Sequence, residues 1–266
     1  MKTALDQSLA EEYTSKSQQT RVVTETWAEE NLYCLNCDSD RIEAHRPGKK
    51  VEDFLCPSCG RRIQLKAKRG THGNKVASSA YQPTIEAIRN DEVPDYAFLS
   101  FDPSEWQVTH LFVVPGQFIT PTVVEKREPL SSNAERSGWV GSNIRLDRIP
   151  EIGRIELVSG SQHSPRSVAR REFEQAKFLS GRTVSTRGWT AAVMDCLDDL
   201  PIEPGDQFEL ADVYQFEDRL SRMYPENQHV RAKIRQQLQV LRDEGLVDFL
   251  GNGTYRLRWV DDRNRR

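Results

Sequence analysis

A mixed α/β (α+β) domain carrying a metal staple, followed by a smaller helical domain closed by a β-hairpin, is the architecture the sequence predicts. Three observations predict it. Two cysteine pairs, Cys34/Cys37 and Cys56/Cys59, flank a loop-rich stretch. Nearly continuous apolar runs, Tyr96 to Phe101 and Thr109 to Pro115, have the pattern of strands covered on both faces. The last third reads as three short helices and then LVDFL-GNG-TYRLRW, two strands joined by a glycine-rich turn.

Bulk properties limit the function classes. The 266 residues suffice for two ordinary domains; 37% hydrophobic and 29% charged content describes a soluble globular chain. No run approaches the roughly 18 apolar residues of a spanning helix, and MKTALDQSLAEEYTSK has no apolar signal region. A cytoplasmic protein without a membrane partner is expected. The net charge of −3 hides strong local surpluses. Between Arg41 and Lys75 ten Lys/Arg face three acids, and from Asn227 to Arg242 four basic residues stand with no acid. Such surpluses suit phosphate binding. An odd cysteine count, five, fits a reducing compartment; Cys196, between Asp195 and Leu197, reads as a small core residue.

Taken in order, Leu5 to Asn31 reads as a helix that Ser8 can cap, with Leu9, Tyr13, Val22, Val23 and Trp27 as its apolar stripe. The segment YCLNCDSDRIEAHRPGKK cannot bury its own core and needs a staple. Val51, Asp53 and Leu55 mark one strand, Ile63 and Leu65 the next, with CPSCG as their turn. Ser78 to Asn90 reads as a helix interrupted, or started late, by Pro83. After the two apolar strands, Gln117 to Asn143 forms a long irregular excursion with Trp139 near its end, and long ordered loops are often functional. Arg154 to Val158 is a short strand and Arg171 to Leu179 a helix.

A boundary near SGRTVSTRGW divides domains 1–181 and 182–266. Beyond it the helices Trp189 to Leu200, Leu210 to Leu220 and Val230 to Glu244, followed by the hairpin, stand in winged-helix order. In the third, Val230, Ile234, Leu238 and Leu241 fall within about 80° of arc at roughly 100° per residue, while Arg231, Arg235, Gln239 and Arg242 gather elsewhere. These four, with Gln236, are candidate DNA contacts, because Arg and Gln suit phosphates and the purine edges of the major groove.

Cys34-x2-Cys37, an eighteen-residue gap and Cys56-x2-Cys59 make a strong metal signal. Two tight turns can aim four thiolates at one tetrahedral zinc, leaving no position for water, so the zinc would be structural. It would fix the hairpin carrying Asp53 on one side and Gln64 and Lys66 on the other. That pattern, D-x10-Q-x-K, suits metal-assisted phosphodiester cleavage. Asp53, Gln64 and the Leu65 carbonyl offer oxygens to Mg²⁺, and Lys66, two residues along the strand, shares the face of Gln64 and can orient water.

The stretches YCLNC, VEDFLCPSC followed by LKAKRG, LFVVPGQFITP, SGWVGSNI, STRGWT and KIRQQLQVLRDEGLVDF keep their order over both proposed domains. In these the chain resembles the DpnI-type methyl-directed type II restriction endonucleases. The resemblance implies a PD-(D/E)XK catalytic domain with bound zinc and a winged-helix domain, both recognising GATC with a 6-methyladenine, and Mg²⁺-dependent cleavage of double-stranded DNA. By position, Asp53 and Lys66 match the catalytic pair, and Gln64 stands where the family pattern has Glu. Trp139, in the shared GW stretch, is expected near the methyladenine, with Trp189 as a second candidate for a flat apolar wall. A buried methyl adds under about 1 kcal/mol, so discrimination requires a pocket that also penalises the bare amine. A monomer is expected. The alternative is a non-catalytic methyl-DNA reader whose nuclease domain has degenerated through Gln64.

Overall fold

The computed structural model describes residues 1–44 and 53–258, so Val51 and Trp259, read above as strand residues, lie outside the described residues. The chain opens with a 3-10 turn, Gln7–Ala10, and then α1, Lys16–Asn31. The single helix expected from Leu5 is broken because the start is committed elsewhere. Asp6 rather than Ser8 is the cap, accepting from the Ser8 N–H at 3.0 Å. Leu5 and Val108 N–H groups bond to Trp106 and Thr3 carbonyls at 2.7 and 2.8 Å, which holds the first residues extended.

Short strands β1 (Glu43–Ala44) and β2 (Phe54–Leu55) lead to the long β3 (Arg62–Arg69). β4 (Lys75–Ala80) and α2 (Tyr81–Arg89) follow. Ser78 and Ser79, expected to open a helix, are therefore strand residues. Pro83 is the third residue of α2, where a missing N–H costs no intrahelical bond. The apolar runs form β5 (Asp95–Asp102) and β6 (Gln107–Val114). The excursion after them is more ordered than its composition suggests. It holds a 3-10 turn at Gly116–Phe118, β7 (Val124–Lys126) and the start of β8 (Gly141–Arg145), with Phe118, Ile119, Val123 and Val124 buried. β9 (Ile155–Ser159), β10 (Gln162–His163) and α3 (Arg166–Ala176) complete this half.

Seven strands form one sheet in the order β1-β2-β3-β5-β6-β9-β10, in which β3 and β5 are the parallel pair and the other pairings are antiparallel. β5 is buried over seven of its eight residues, as expected of a central strand covered on both faces. α1 packs on β3 through Val23, Trp27 and Ala28, and α3 packs on β9 through Ala169, Phe173 and Ala176. A second sheet, β4-β8-β7, stands beside it.

The C-terminal part comprises α4 (Val184–Asp198), β11 (Gln207–Glu209), α5 (Leu210–Tyr214), α6 (Glu217–Met223), α7 (Val230–Asp243), β12 (Val247–Gly251) and β13 (Thr254–Leu257). The expected second helix is thus two short ones, interrupted at Gln215–Phe216. β11, β13 and β12 form a three-stranded sheet against the helices. The hairpin turn, Gly251 to Gly253, has positive φ at all three residues, which explains the glycines. Ile234, Leu238 and Leu241 of α7 are fully buried with Val193, Met194, Cys196, Val213 and Leu220. No helix among the described residues is long and apolar enough to cross a membrane.

Candidate active site and nucleic-acid interface

The four-cysteine knuckle is preorganised. Sγ atoms of Cys34, Cys37, Cys56 and Cys59 lie within 4.8 Å of one another, with Cys34–Cys59 and Cys37–Cys56 both at 3.6 Å. A tetrahedral zinc with Zn–S near 2.3 Å sets sulfurs about 3.8 Å apart, so the donor set fits a closed zinc shell. Surrounding groups lock it to the fold. Arg170 of α3 donates to the Cys34 and Ser39 carbonyls at 3.1 and 3.0 Å. Arg61, two residues beyond Cys59, forms a fork on Asp95 at 2.7 and 2.6 Å, and Asp95 also accepts from the Gly116 N–H at 2.8 Å. This part-buried fork anchors the knuckle to β5, next to the start of β3, and no sequence pattern points to it.

Beyond the knuckle, register assembles the polar cluster. Phe54 pairs with Ile63 and Leu55 with Arg62, so Asp53 stands opposite Gln64 on β3, and Lys66 returns to the same face two residues on. Asp53 is tied down at both ends. Its N–H donates to the Ile63 carbonyl at 3.1 Å, and its Oδ2 accepts from the Leu65 N–H at 2.8 Å. Gln64 is 9% exposed, and its Oε1 is buried without a hydrogen-bond donor among the described residues. Lys66 is mostly buried, and that burial pulls its ammonium below the ordinary lysine range, while the Asp53 charge opposes the shift. A carboxylate, an uncommitted amide oxygen and a backbone carbonyl make an all-oxygen donor set of the kind hard cations take. An orphaned buried carbonyl oxygen is costly unless a cation or donor uses it. Asp53, Gln64 and Leu65 therefore fit a divalent metal.

Trp139 closes the loop between β7 and β8. Its indole lies on Gly141, where an added Cβ would come within 2.7 Å of the ring, and Arg136 stands 5.2 Å from the ring centroid. The residue is half-buried. Trp189 is different: it is 3% exposed and stacked on Tyr224 at 3.9 Å between centroids. It packs in the core of the C-terminal part and has no exposed face to offer a base, unlike the expectation for a second methyl-reading wall.

On α7, Arg231, Arg235, Gln236, Gln239 and Arg242 are all exposed, whereas Gln237 is buried and accepts from the Thr190 hydroxyl at 2.7 Å. Arg235 donates to the Tyr214 hydroxyl at 2.6 Å and Arg231 to Glu217 at 2.7 Å, which orients both guanidinium groups without burying them.

A sheet-centred domain with a four-thiolate knuckle, joined to a helix-turn-helix unit that presents a basic helix, defines a protein that acts on DNA. Its family follows from comparison with known proteins. Residues 1–182 match the DpnI model, described as the Dam-replacing family, and residues 185–257 match DpnI_C, the Dam-replacing HTH domain. The chain belongs to this family of DpnI-type, methyl-directed restriction nucleases with a C-terminal winged-helix domain.

Proposed function

We propose that this chain cuts double-stranded DNA at GATC sites bearing 6-methyladenine, by Mg²⁺-dependent hydrolysis of the phosphodiester backbone. The reading rests first on the family and then on one observation: the β2–β3 register that sets Asp53 opposite Gln64, with Lys66 two residues on. Asp53 Oδ1, Gln64 Oε1 and the Leu65 carbonyl would hold the cation. When bound, Mg²⁺ neutralises charge on the scissile phosphate and acidifies a coordinated water. Asp53 is fixed for this by the Leu65 N–H, and Lys66 directs its amine at the phosphate oxygens and the attacking water, where a charged donor favours the transition state. Trp139, half-buried beside Arg136, supplies a flat apolar surface for the methylated base, and the exposed Arg and Gln side chains of α7 meet the duplex. A division into a catalytic unit, 1–181, and a DNA-binding unit, 182–266, follows the same reading.

Purified protein with Mg²⁺ is incubated with plasmid from an adenine-methylating host and from a non-methylating one. Cutting of the methylated plasmid alone supports the reading. A mobility shift without cutting would replace it with the non-catalytic reader, for which the neutral Gln64 is the favouring observation.

A further inference from the structure

The cluster around Lys66 contains residues that the D-x10-Q-x-K pattern does not include. In the parallel pairing of β3 and β5, Tyr96 is the partner of Gln64 and Phe98 that of Lys66. Tyr96 is 3% exposed, and the Lys66 Nζ stands 5.8 Å from its ring centroid. The ring cannot follow the lysine elsewhere. It stacks on Phe98 at 6.1 Å, and Phe98 stacks on Phe112 at 5.0 Å, an aromatic column built into the central strands. The Tyr96 hydroxyl feels both the Asp53 charge and the Ser78 hydroxyl. Gln64 Oε1 is buried without a hydrogen-bond donor among the described residues, and Ser78 Oγ is buried beside the Tyr96 hydroxyl. Ser78 immediately precedes a register shift in β4, between Ser78 and Ala80, and such bulges re-aim side chains beside active sites.

A packing role alone does not account for these choices. Phenylalanine would fill the column equally well and alanine would fill the strand at position 78, so packing needs neither of the two facing hydroxyls, which stand beside the orphaned Gln64 oxygen. A lysine amine on four rotatable bonds, in contrast, needs something to hold it, and the face of a fixed aromatic ring attracts an ammonium. On the nuclease reading, we propose that Tyr96 and Ser78 are positioning residues of the cleavage centre. The Tyr96 ring holds the Lys66 amine, and the two hydroxyls form, with Gln64, the polar wall against which the hydrated cation sits.

The test uses the full-length, zinc-loaded chain with methylated GATC duplex, in wild type, Tyr96→Phe, Tyr96→Leu and Ser78→Ala. Three quantities are read: single-turnover cleavage, duplex affinity, and Mn²⁺ binding to the protein–DNA complex by electron paramagnetic resonance. Tyr96→Leu is expected to slow cleavage by about a hundredfold with duplex affinity unchanged, because an amine misplaced by an ångström costs that much. Tyr96→Phe keeps the ring and should recover most of that loss. Ser78→Ala and Tyr96→Phe should each raise the half-saturating Mn²⁺ concentration by about threefold to tenfold, the effect of removing one hydrogen bond. Tyr96→Phe and Ser78→Ala preserve shape, so they keep the test decisive if Tyr96→Leu misfolds. Wild-type Mn²⁺ binding in both shape-preserving variants, or a folded Tyr96→Leu that cuts at the wild-type rate, would overturn the proposal while leaving the nuclease reading intact. A wild-type complex that neither binds Mn²⁺ nor cuts would overturn both.

Discussion

The edge of the large sheet and the winged-helix unit both hold polar groups in fixed positions, but they are built from different materials. At the edge, β1 and β2 have two residues each, and the main apolar anchors near Asp53 are Phe54, Ile63 and Leu65. Four cysteines, with the Arg170 and Arg61–Asp95 contacts, do the rest of the holding. In the winged-helix unit, Val193, Leu197, Phe208, Val213, Leu220, Ile234, Leu238, Leu241, Val247 and Leu257 are buried in one cluster, so α7 is set by ordinary packing. With zinc in the knuckle, position would depend on an ion in one place and on a core in the other, which makes the two separable by experiment.

Removing zinc should separate them most sharply. Structural zinc contributes on the order of 10 kcal/mol in small zinc domains. Chelation, or Cys56→Ser, is expected to abolish cleavage and lower the melting of the N-terminal half, while the winged-helix transition in calorimetry stays put; a uniform downward shift would show that the two cores are one cooperative unit. Next in size, Asp53→Ala and Lys66→Ala should each reduce cleavage of methylated GATC DNA by about a hundredfold to a thousandfold while duplex binding survives, since charge-stabilising groups at such centres are worth about 3–4 kcal/mol. Undiminished cutting by either variant would remove the assignment. In the winged-helix unit the losses should be smaller. Arg235→Ala is expected to cost about 1–3 kcal/mol in duplex affinity and to flatten its salt dependence if the contact is to phosphate, with single-turnover cleavage of saturated complex unchanged. Gln64→Glu should shift the Mg²⁺ dependence to lower concentration by about tenfold, because a carboxylate replaces a neutral oxygen; a shift to higher concentration would mean that the amide makes another bond.

The smallest expected effect lies where the two halves meet. Asp198, at the end of α4, accepts from the Glu151 N–H at 2.8 Å, and burial pushes its carboxyl up to about 7; the Glu151 N–H opposes this, the Glu151 and Asp195 charges add to it, and Arg154 opposes it. Because the folded value lies above the unfolded one near 3.9, the native state keeps a proton that the unfolded chain has lost between pH 4 and pH 7. Its contribution to stability thus falls as pH rises through that window and is constant above it. Asp198→Asn keeps an acceptor and removes the titration. Relative to wild type it should gain about 1–2 kcal/mol between pH 5 and pH 8 in denaturant melts, less than the full shift because the carboxyl is partly solvated.

Much of the site was legible because its parts are close in sequence. Cysteine spacing reveals a knuckle, and with CPSCG as a turn the alternation of side chains aligns Asp53 with Gln64 and Lys66. Partners brought by non-local pairing were not legible. Tyr96 reaches Gln64 through a parallel neighbour some thirty residues away, and Ser78 was read as the start of a helix because SSA carries no strand signal and Pro83 obscures where α2 begins. The basic face of α7 was readable from periodicity, but the burial of Gln237 depends on Thr190 from another helix. Trp189 and Trp139 have the same glycine-preceded context; only the stacking of Tyr224 on the former separates core from surface.

The strand pairing beneath Trp139 has a mechanical consequence. Ala80 of β4 pairs with Gly141, and two residues earlier β4 carries Ser78, proposed above to face the cleavage centre. With no Cβ at Gly141 to cushion it, the indole rests directly on main chain, so a load on the ring would pass to the backbone and along one short strand toward Ser78. On the proposed function, a base that seats poorly would then be punished in turnover rather than in grip: an unmethylated site would be held nearly as long as a methylated one and let go uncut.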